Sequence, residues 1–220
     1  MPRSTVIYTN SDAFALFKEE ARRKFKGLAI KPYTFSYAQR TDTGSMRARI
    51  TELAEGALAS EMAMLVERGE ATLASPVDRD VRVGTFEELM GDADRTRLEV
   101  VLQFVSPVIV EVNGALGPFP VLSAAFGRYI TVWNAFSEEK IGLSEVGLAH
   151  VRITDFKISC VASPFGPGSQ GWMRLEMERG RTEGQIGLFN GLLDFAFYCG
   201  TGLHTDEGLG QTRRMEKVPR

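Results

Sequence analysis

Apolar and polar positions in the first half of the chain follow a period of two in some stretches and a helical period in others. Thr5–Tyr8 is a β-branched and aromatic run, which predicts a short first strand. The next apolar residues recur at the spacing of one helix face: Phe14, Phe17, Ala21 and Phe25. Ser11 or Asp12 can cap this helix, and Gly27 would end it.

The same alternation continues up to about residue 94. Tyr33–Tyr37 and Met46–Leu53 read as two strands that pair across a turn. A second helix follows, with its apolar face on Leu58, Met62, Leu65 and Val66. Val81–Phe86 then predicts a fourth strand or an extension of it. This order, β-α-β-β-α-β, is that of a ferredoxin-like module.

The pattern restarts after Gly91–Asp94. The predicted elements of the second half are a strand over Arg97–Val112 bent near Pro107, a turn over Gly114–Pro118, a helix opened by Pro120, paired strands over His150–Val161 and Gly171–Glu178, a helix over Gln185–Tyr198, and a terminal strand over Gln211–Val218. The order is again β-α-β-β-α-β. The sequence therefore predicts an α+β protein of two tandem ferredoxin-like (RRM-like) domains, residues 1–94 and 95–220.

A glycine-rich loop, residues 199–211, separates the last helix from the last strand. Two Gly-x-Gly pairs permit positive φ angles and bring backbone N–H groups close to a ligand, and Arg213 and Arg214 follow directly. One interpretation is a backbone cradle for a polyanion. The other is a flexible glycine-rich hairpin or lid, and Asp206 and Glu207 argue against phosphate at the tip of the loop.

Composition is that of an ordinary globular protein, with 44% hydrophobic and 25% charged residues and a formal net charge of −2. No apolar run reaches the length of a membrane span, and the N-terminus lacks the apolar core of a secretion signal, so we expect a cytoplasmic protein without a membrane partner. Cys160 and Cys199 lie in apolar surroundings and are expected to be buried, reduced thiols. Positive charge clusters at Arg22–Lys26 and from Arg213 onward, although a solvated helix face would explain the first cluster equally.

Common cofactor and metal motifs are missing from the sequence. There is no zinc-type histidine or cysteine spacing and no phosphate-binding loop ending in Gly-Lys-Thr. The paired glycines follow a helix and precede a strand, which is the reverse of a dinucleotide site. We therefore expect no cofactor and no metal.

Three stretches of the second half resemble the CRISPR-associated, repeat-processing endoribonucleases of the RAMP superfamily. They are the helix region from Phe119 through Trp133-Asn134, the paired strands around 150–178, and the loop Gly200-x-Gly202-x-x-Thr205-x-x-Gly208-x-Gly210-Gln211. In the first half, Lys31–Ser36 and Met46–Leu53 are similar to the two strands after the family's first helix. The loop with its glutamine is the most specific of these stretches.

The resemblance implies a protein that binds CRISPR repeat RNA and cuts it once without a metal. In that reaction the 2′-hydroxyl attacks the adjacent phosphate and leaves a 2′,3′-cyclic phosphate. Such chemistry needs a base, an acid and cations for the developing charge, and histidine serves well as base or acid. The family's usual histidine lies in its first domain, whereas this chain has no histidine before His150.

Candidate site residues follow from the loop, the basic clusters and the resemblance. His204 is the first catalytic candidate, and His150, at the start of a strand, is expected to be structural. The catalytic candidates are His204, Tyr8, Lys18 and Tyr37. The candidates for RNA contact are Lys18, Arg22, Arg23, Lys26, Arg128, Gly200, Gly202, Gly208, Gly210, Gln211, Arg213 and Arg214.

Two alternatives to an endoribonuclease stay open at the level of sequence. The protein could be a catalytically inactive RAMP-type subunit that binds RNA or docks other CRISPR-associated proteins. It could also be a small-molecule enzyme on the same fold, although no cluster of carboxylates or histidines supports this interpretation. A homodimer is possible with any of these functions.

Overall fold

The computed structural model describes residues 1–36, 39–42, 44–78 and 80–216. Its α-helices are α1 (Ser11–Lys24), α2 (Ala59–Glu67), α3 (Phe86–Gly91), α4 (Leu122–Phe136) and α5 (Glu183–Cys199). Its strands are β1 (Arg3–Thr9), β2 (Tyr33–Phe35), β3 (Gln39–Arg40), β4 (Met46–Glu52), β5 (Ala71–Leu73), β6 (Arg82–Val83), β7 (Glu99–Val108), β8 (Val110–Val112), β9 (Ala115–Gly117), β10 (Val151–Val161), β11 (Gly168–Met177) and β12 (Thr212–Met215). Short 3₁₀ turns lie at Leu143–Val146, Leu148–His150 and Thr205–Glu207.

Each half of the chain builds one antiparallel sheet with the same strand order. The first sheet runs β2-β4-β1-β5, with β3 added beside β4 and β6 beside β1. The second runs β10-β11-β7-β12. In both, the first and third strands of the module are central and the second and fourth lie at the edges. The predicted α+β fold of two ferredoxin-like modules is confirmed.

The first helix begins one residue earlier than predicted. Asn10, rather than Ser11 or Asp12, is its cap, because the Asn10 side chain accepts a hydrogen bond of 2.8 Å from the amide of Ala13. Phe14, Phe17 and Ala21 are buried as the period predicted. They pack onto Ile7, Ala48, Ile50 and Phe35 of the first sheet.

The fourth strand of the first module differs from the prediction. β5 (Ala71–Leu73) occupies that position beside β1, whereas β6 is only a two-residue pairing with exposed side chains. Phe86 is the first residue of α3, and Thr85 and Glu88 form a capping box at the N-terminus of this helix. The predicted turn at Gly114–Pro118 is likewise part of the small β8–β9 hairpin.

The larger core belongs to the second half, where α4 and α5 cover one face of the second sheet. Phe126, Tyr129 and Trp133 of α4 pack with Phe189 and Phe195 of α5. Phe86 of α3 joins this core, with its ring centroid 4.8 Å from that of Trp133. The predicted domain boundary between residues 94 and 95 stays a prediction. α3 precedes this boundary in sequence but packs into the core of the second half.

The two halves meet across the helix-free face of the first sheet. The Thr34 hydroxyl donates to the carbonyl of Tyr198 at 2.8 Å. The Arg49 guanidinium, 5% exposed, stacks 4.1 Å above the ring of Phe197. Desolvation by this burial lowers the pKa of Arg49 to about 10. Arg213 of β12 adds an ion pair of 2.9 Å to Asp80.

The two cysteines are in different surroundings. Cys199, at the end of α5, is buried as predicted, but Cys160 on β10 is exposed, so the prediction was wrong for Cys160. Its strand, β10, is an edge of the second sheet. No helix within the described part of the chain is long and apolar enough to cross a membrane.

Candidate active site

The glycine-rich loop is packed into the second half rather than projecting from it. Gly200 ends α5 with a φ of 71°, and a single 3₁₀ turn at Thr205–Glu207 follows. The amide of Leu203 donates to the carbonyl of Ile109 at 2.8 Å, and the amide of Gly210 donates to that of Pro107 at 2.8 Å. The loop is thereby fastened to the bend between β7 and β8.

Two of the glycines are required by close backbone contact. Gly202 and Gly210 both have positive φ angles. A Cβ atom at Gly202 would collide with the carbonyl oxygen of Ile109, and one at Gly210 with the carbonyl oxygen of Thr201. The same sequence pattern that permits a close ligand here permits a close approach of the protein's own backbone.

A buried hydroxyl network holds the two ends of the loop together. Thr201 Oγ1 lies 2.5 Å from the Tyr129 hydroxyl of α4 and 2.6 Å from Thr212 Oγ1 at the start of β12. Burial raises the pKa of the Tyr129 hydroxyl, which stays protonated and available as a donor. Gln211 is buried beside this network, and its backbone N–H donates to Ser106 Oγ at 2.8 Å.

Between the glycine loop and the first half lies a cleft of about 180 Å³. It is lined by Ala29, Lys31, Arg128, Leu203, His204, Thr205 and Asp206. The first half contributes the segment before β2, and the second half contributes α4 and the loop. Two of the predicted site residues, His204 and Arg128, therefore meet in one cleft.

His204 is held in an unusual conformation. Its φ of 57° lies in the left-handed region that non-glycine residues rarely adopt. The imidazole stacks on the ring of Phe165 from the β10–β11 hairpin, with centroids 4.1 Å apart and planes 14° apart. This stacking fixes the plane of the imidazole while leaving the side chain partly exposed to the cleft.

Two cations face the same cleft. The Nε atom of Arg128 is buried and has no hydrogen-bond partner among the described residues. Lys31 is positioned by carbonyl groups at the end of the first helix, since its Nζ donates to Phe25 at 2.8 Å and to Leu28 at 2.9 Å. An unpartnered guanidinium nitrogen beside a histidine is suited to an anionic ligand such as a phosphate.

Carboxylates lie on the rim of the cleft toward α1. Arg22 forms an ion pair with Glu207, so this predicted RNA contact already has a partner within the protein. Tyr33, 1% exposed, has a buried hydroxyl without a partner among the described residues. Desolvation, together with the nearby charges of Asp206 and Glu207, raises the pKa of Tyr33 to about 12.

The other predicted catalytic residues lie away from the cleft. Tyr8 is on the helix-free face of the first sheet, opposite Arg47 and Thr72. Lys18 lies on α1 with its Nζ 5.7 Å from the centre of the Phe14 ring. Tyr37 is outside the described residues.

The predicted RNA contacts divide into exposed and occupied side chains. Arg23 and Lys26 are exposed at the end of α1. Arg213 binds Asp80, and Arg214 binds Asp194 at 2.9 Å and Asn190 at 2.5 Å. It stays a prediction that RNA contacts the arginines, Gln211 or the glycines Gly200, Gly202, Gly208 and Gly210. The hydrogen bonds of Arg213 and Arg214 named above are to other residues of the protein.

Lys31 is the cleft residue that sequence reasoning missed. The Lys31-Pro32 pair directly before a strand was a usable signal, because a proline there fixes an extended approach to the sheet and so places the preceding lysine at its edge. Elsewhere, no group of three or more histidine, cysteine or carboxylate side chains that could hold a metal ion lies within the described ranges.

The sequence matches a family model described as "CRISPR-associated endoribonuclease Cas6" over residues 102–212, half of the chain. The chain belongs to the Cas6 family. As a member of this family, the protein is a CRISPR-associated endoribonuclease. The matched region includes α4 with Arg128, the hairpin with Phe165 and the whole glycine loop with His204. Curated proteins, by contrast, give no match to the sequence.

Solved Cas6 structures have the same fold. A product complex of Cas6 (TTHA0078) is 19% identical, with a TM-score of 0.80 over 98% of this chain and 99% of that one. The Thermus thermophilus Cas6 (TTHB231) is 21% identical, with a TM-score of 0.74 over 98% of each chain. At these identities the similarity establishes the tandem arrangement of modules, and the site residues must be argued from this chain.

Proposed function

We propose that the protein binds CRISPR repeat RNA across the cleft of Lys31, Arg128 and His204 and cuts it once without a metal. The observation that carries this proposal is the meeting of a fixed imidazole with an unpartnered, buried guanidinium nitrogen between the two modules. The similar Cas6 structures include a product complex and a substrate-mimic complex, which supports a nucleic-acid ligand for this fold.

The reaction that these groups suit is an internal transesterification. The 2′-oxygen of a ribose attacks the adjacent phosphorus, the bond from phosphorus to the 5′-oxygen breaks, and a 2′,3′-cyclic phosphate remains. A base must take the proton of the 2′-hydroxyl and an acid must give one to the leaving oxygen. We assign His204 to this proton exchange.

Arg128 and Lys31 would stabilise the charge that develops on the phosphate. Arg128 offers planar donors beside His204, and Lys31 is a point charge already held in position by two carbonyl groups. Fixed cations in a partly enclosed cleft stabilise a transition state more than mobile surface cations do. Arg23 and Lys26, which are exposed at the end of α1, and the half-buried Lys18 would hold phosphates of the flanking RNA.

The cognate repeat RNA, incubated with excess protein in EDTA, tests the proposal. We expect a single cut with a 2′,3′-cyclic phosphate at the new end, identified by its resistance to phosphatase until acid opens the ring. Cleavage that occurs only after Mg²⁺ is added would overturn the metal-independent mechanism.

His204→Ala tests the assignment of the proton exchange. Loss of a general acid or base lowers the single-turnover rate by about 10²- to 10⁴-fold. His150→Ala is the matched control, because His150 is the other histidine of the chain and pairs with Glu178 at 3.0 Å, away from the cleft. Equal rates for the two variants would remove His204 from the mechanism.

A further inference from the structure

On the helix-free face of the second sheet, the side chains near the edge strand β10 are exposed to solvent. Met173 and Leu175 of β11 point into the core under α4 and α5, so the residues between and beside them point to the other side. Trp172 lies there at the middle of β11, a central strand, and is only partly buried. Large aromatic side chains on the open side of a sheet are a usable surface for a flat ligand.

Trp172 stands in a row of side chains that crosses all four strands. Its partner on the edge strand β10 is Lys157, its partner on β7 is Gln103, and Gln103 in turn lies opposite Arg213 of β12. At the usual spacing between strands, this row is about 14 Å long. It consists of an exposed lysine at one end, an indole, an amide and, at the other end, an arginine that is ion-paired with Asp80.

Charge on this face is arranged asymmetrically along the strands. The side of the Trp172 row toward the β10–β11 turn carries Ser159 and Gln170, which are exposed and uncharged. The carboxylates Asp155, Glu176 and Glu99 lie on the other side. Arginines accompany two of these, since Arg174 is 3.7 Å from Glu99 and Arg152 is 4.0 Å from Glu176.

The uncharged side leads directly to the proposed active site. β11 runs back from Trp172 to the β10–β11 turn, and Phe165 in that turn stacks on His204. One strand of RNA could therefore cover both the cleft and the open face.

We infer that this face is a second RNA-binding site, in which Trp172 stacks on an unpaired base while Lys157 contacts a flanking phosphate. Four-stranded sheets of this topology bind single-stranded RNA by stacking bases on aromatic residues of the sheet. A paired base is already stacked on its neighbours and presents no free face, so the ligand is a single-stranded segment. The inference rests on the proposed function for its biological ligand, repeat RNA.

The two tryptophans of the chain make the site directly observable. Trp133 is 0% exposed in the core and donates to the carbonyl of Glu139 at 3.0 Å, whereas Trp172 is accessible. Acrylamide quenching of the free protein should therefore report mainly on Trp172. We expect a single-stranded RNA of ten uridines to quench this fluorescence and to protect it from acrylamide, and a blunt RNA duplex of equal length to do neither.

Trp172→Ala should weaken binding of the uridine RNA by about 5- to 150-fold, the range for loss of one base–aromatic stack. Phe156→Ala is the matched control, because Phe156 is 55% exposed one residue from Lys157 but points to the opposite face.

The outcomes separate this inference from the proposed function. The inference alone is overturned by two results together with intact cleavage of repeat RNA by the wild-type protein. The first is that the uridine RNA does not change the tryptophan fluorescence of the wild-type protein. The second is that Trp172→Ala binds the uridine RNA as tightly as the wild-type protein does. Equal losses in Trp172→Ala and Phe156→Ala also overturn it, because the effect would not belong to this face. Protein that quenches with uridine RNA yet does not cleave repeat RNA overturns the proposed function and supports the second site.

Discussion

The two sheets share one strand order but differ in what covers the face that carries no helices. On the first sheet, Ser4, Val6, Thr34, Arg49 and Thr51 of this face are all buried. On the second sheet, Lys157, Ser159 and Gln170 of the corresponding face are exposed. Tandem modules with the same topology thus have different surfaces left for a ligand.

The difference explains why basic residues of the two halves behave differently. Arg49 is enclosed by the second half, where its guanidinium stacks on the Phe197 ring and desolvation lowers its pKa to about 10. Lys157 has no such cover. In a tandem repeat, the equivalent face becomes interior in one copy and surface in the other, and a cation on it changes its role accordingly.

The largest effect is expected where the second half packs against its own loop. Gly202→Ala should lower the free energy of unfolding by more than about 3 kcal/mol, because the left-handed φ and the contact with the Ile109 carbonyl both oppose a Cβ atom. Urea denaturation measures the change. Gly127→Ala in α4, with no atom within 4 Å of the added carbon, should instead stabilise by about 0.5–1 kcal/mol. Similar curves for both variants would show that the loop is not packed as described.

The next effect concerns the cleft that both halves build. Arg128→Ala should lower the single-turnover cleavage rate by about 10²-fold or more, as removal of one fixed donor to a developing negative charge does. Arg68→Ala, an exposed arginine after α2, is the control and should stay within about twofold of wild type. A matching loss in both would mean that general charge, and not the cleft, sets the rate.

A smaller change is expected at the junction itself. Thr34→Val keeps the side-chain shape but removes the donor to the Tyr198 carbonyl, and should cost about 1 kcal/mol of unfolding free energy. Ser159→Ala, on the exposed face of the second sheet, should change it by less than about 0.5 kcal/mol. A Ser159→Ala variant that is less stable than Thr34→Val would contradict the difference in burial between the two faces.

The last prediction requires no substitution, because the two natural cysteines report how accessible their surroundings are to a thiol reagent. Cys160 is exposed on the edge strand β10 of the second sheet, and Cys199 is buried at the end of α5 beside the covered face of the first. Burial raises the pKa of the Cys199 thiol to about 12, so the reactive thiolate is scarce at mildly alkaline pH. Titration with a thiol-reactive disulfide should modify one cysteine in the native protein and both after denaturation. Rapid modification of both in the native state would contradict the closed junction.

The strand order and the two helix-covered cores could be predicted from sequence because they depend on local periodicity. Phe14, Phe17 and Ala21 mark the buried face of α1 whatever they pack against. The fourth strand of the first module could not be placed, since Ala71–Leu73 is too short to carry a period. Its assignment depends on pairing with β1, which is a property of the assembled sheet.

The cleft was only partly predictable. His204 and Arg128 could be named because they stand in or near a distinctive motif, but no local pattern indicates that Phe165 would stack on His204. The glycines were compatible with either a ligand cradle or a flexible loop, and at Gly202 the carbonyl oxygen of Ile109 lies where a Cβ atom would be. The sequence indicates that these positions require a small residue, but it does not indicate which neighbouring atoms impose that requirement.

Under the proposed mechanism, the stack between Phe165 and His204 makes the β10–β11 turn a determinant of how the imidazole is oriented, although the turn itself transfers no proton. Replacing the ring of Phe165 would then lower the cleavage rate of this protein while the lining of the cleft stays the same.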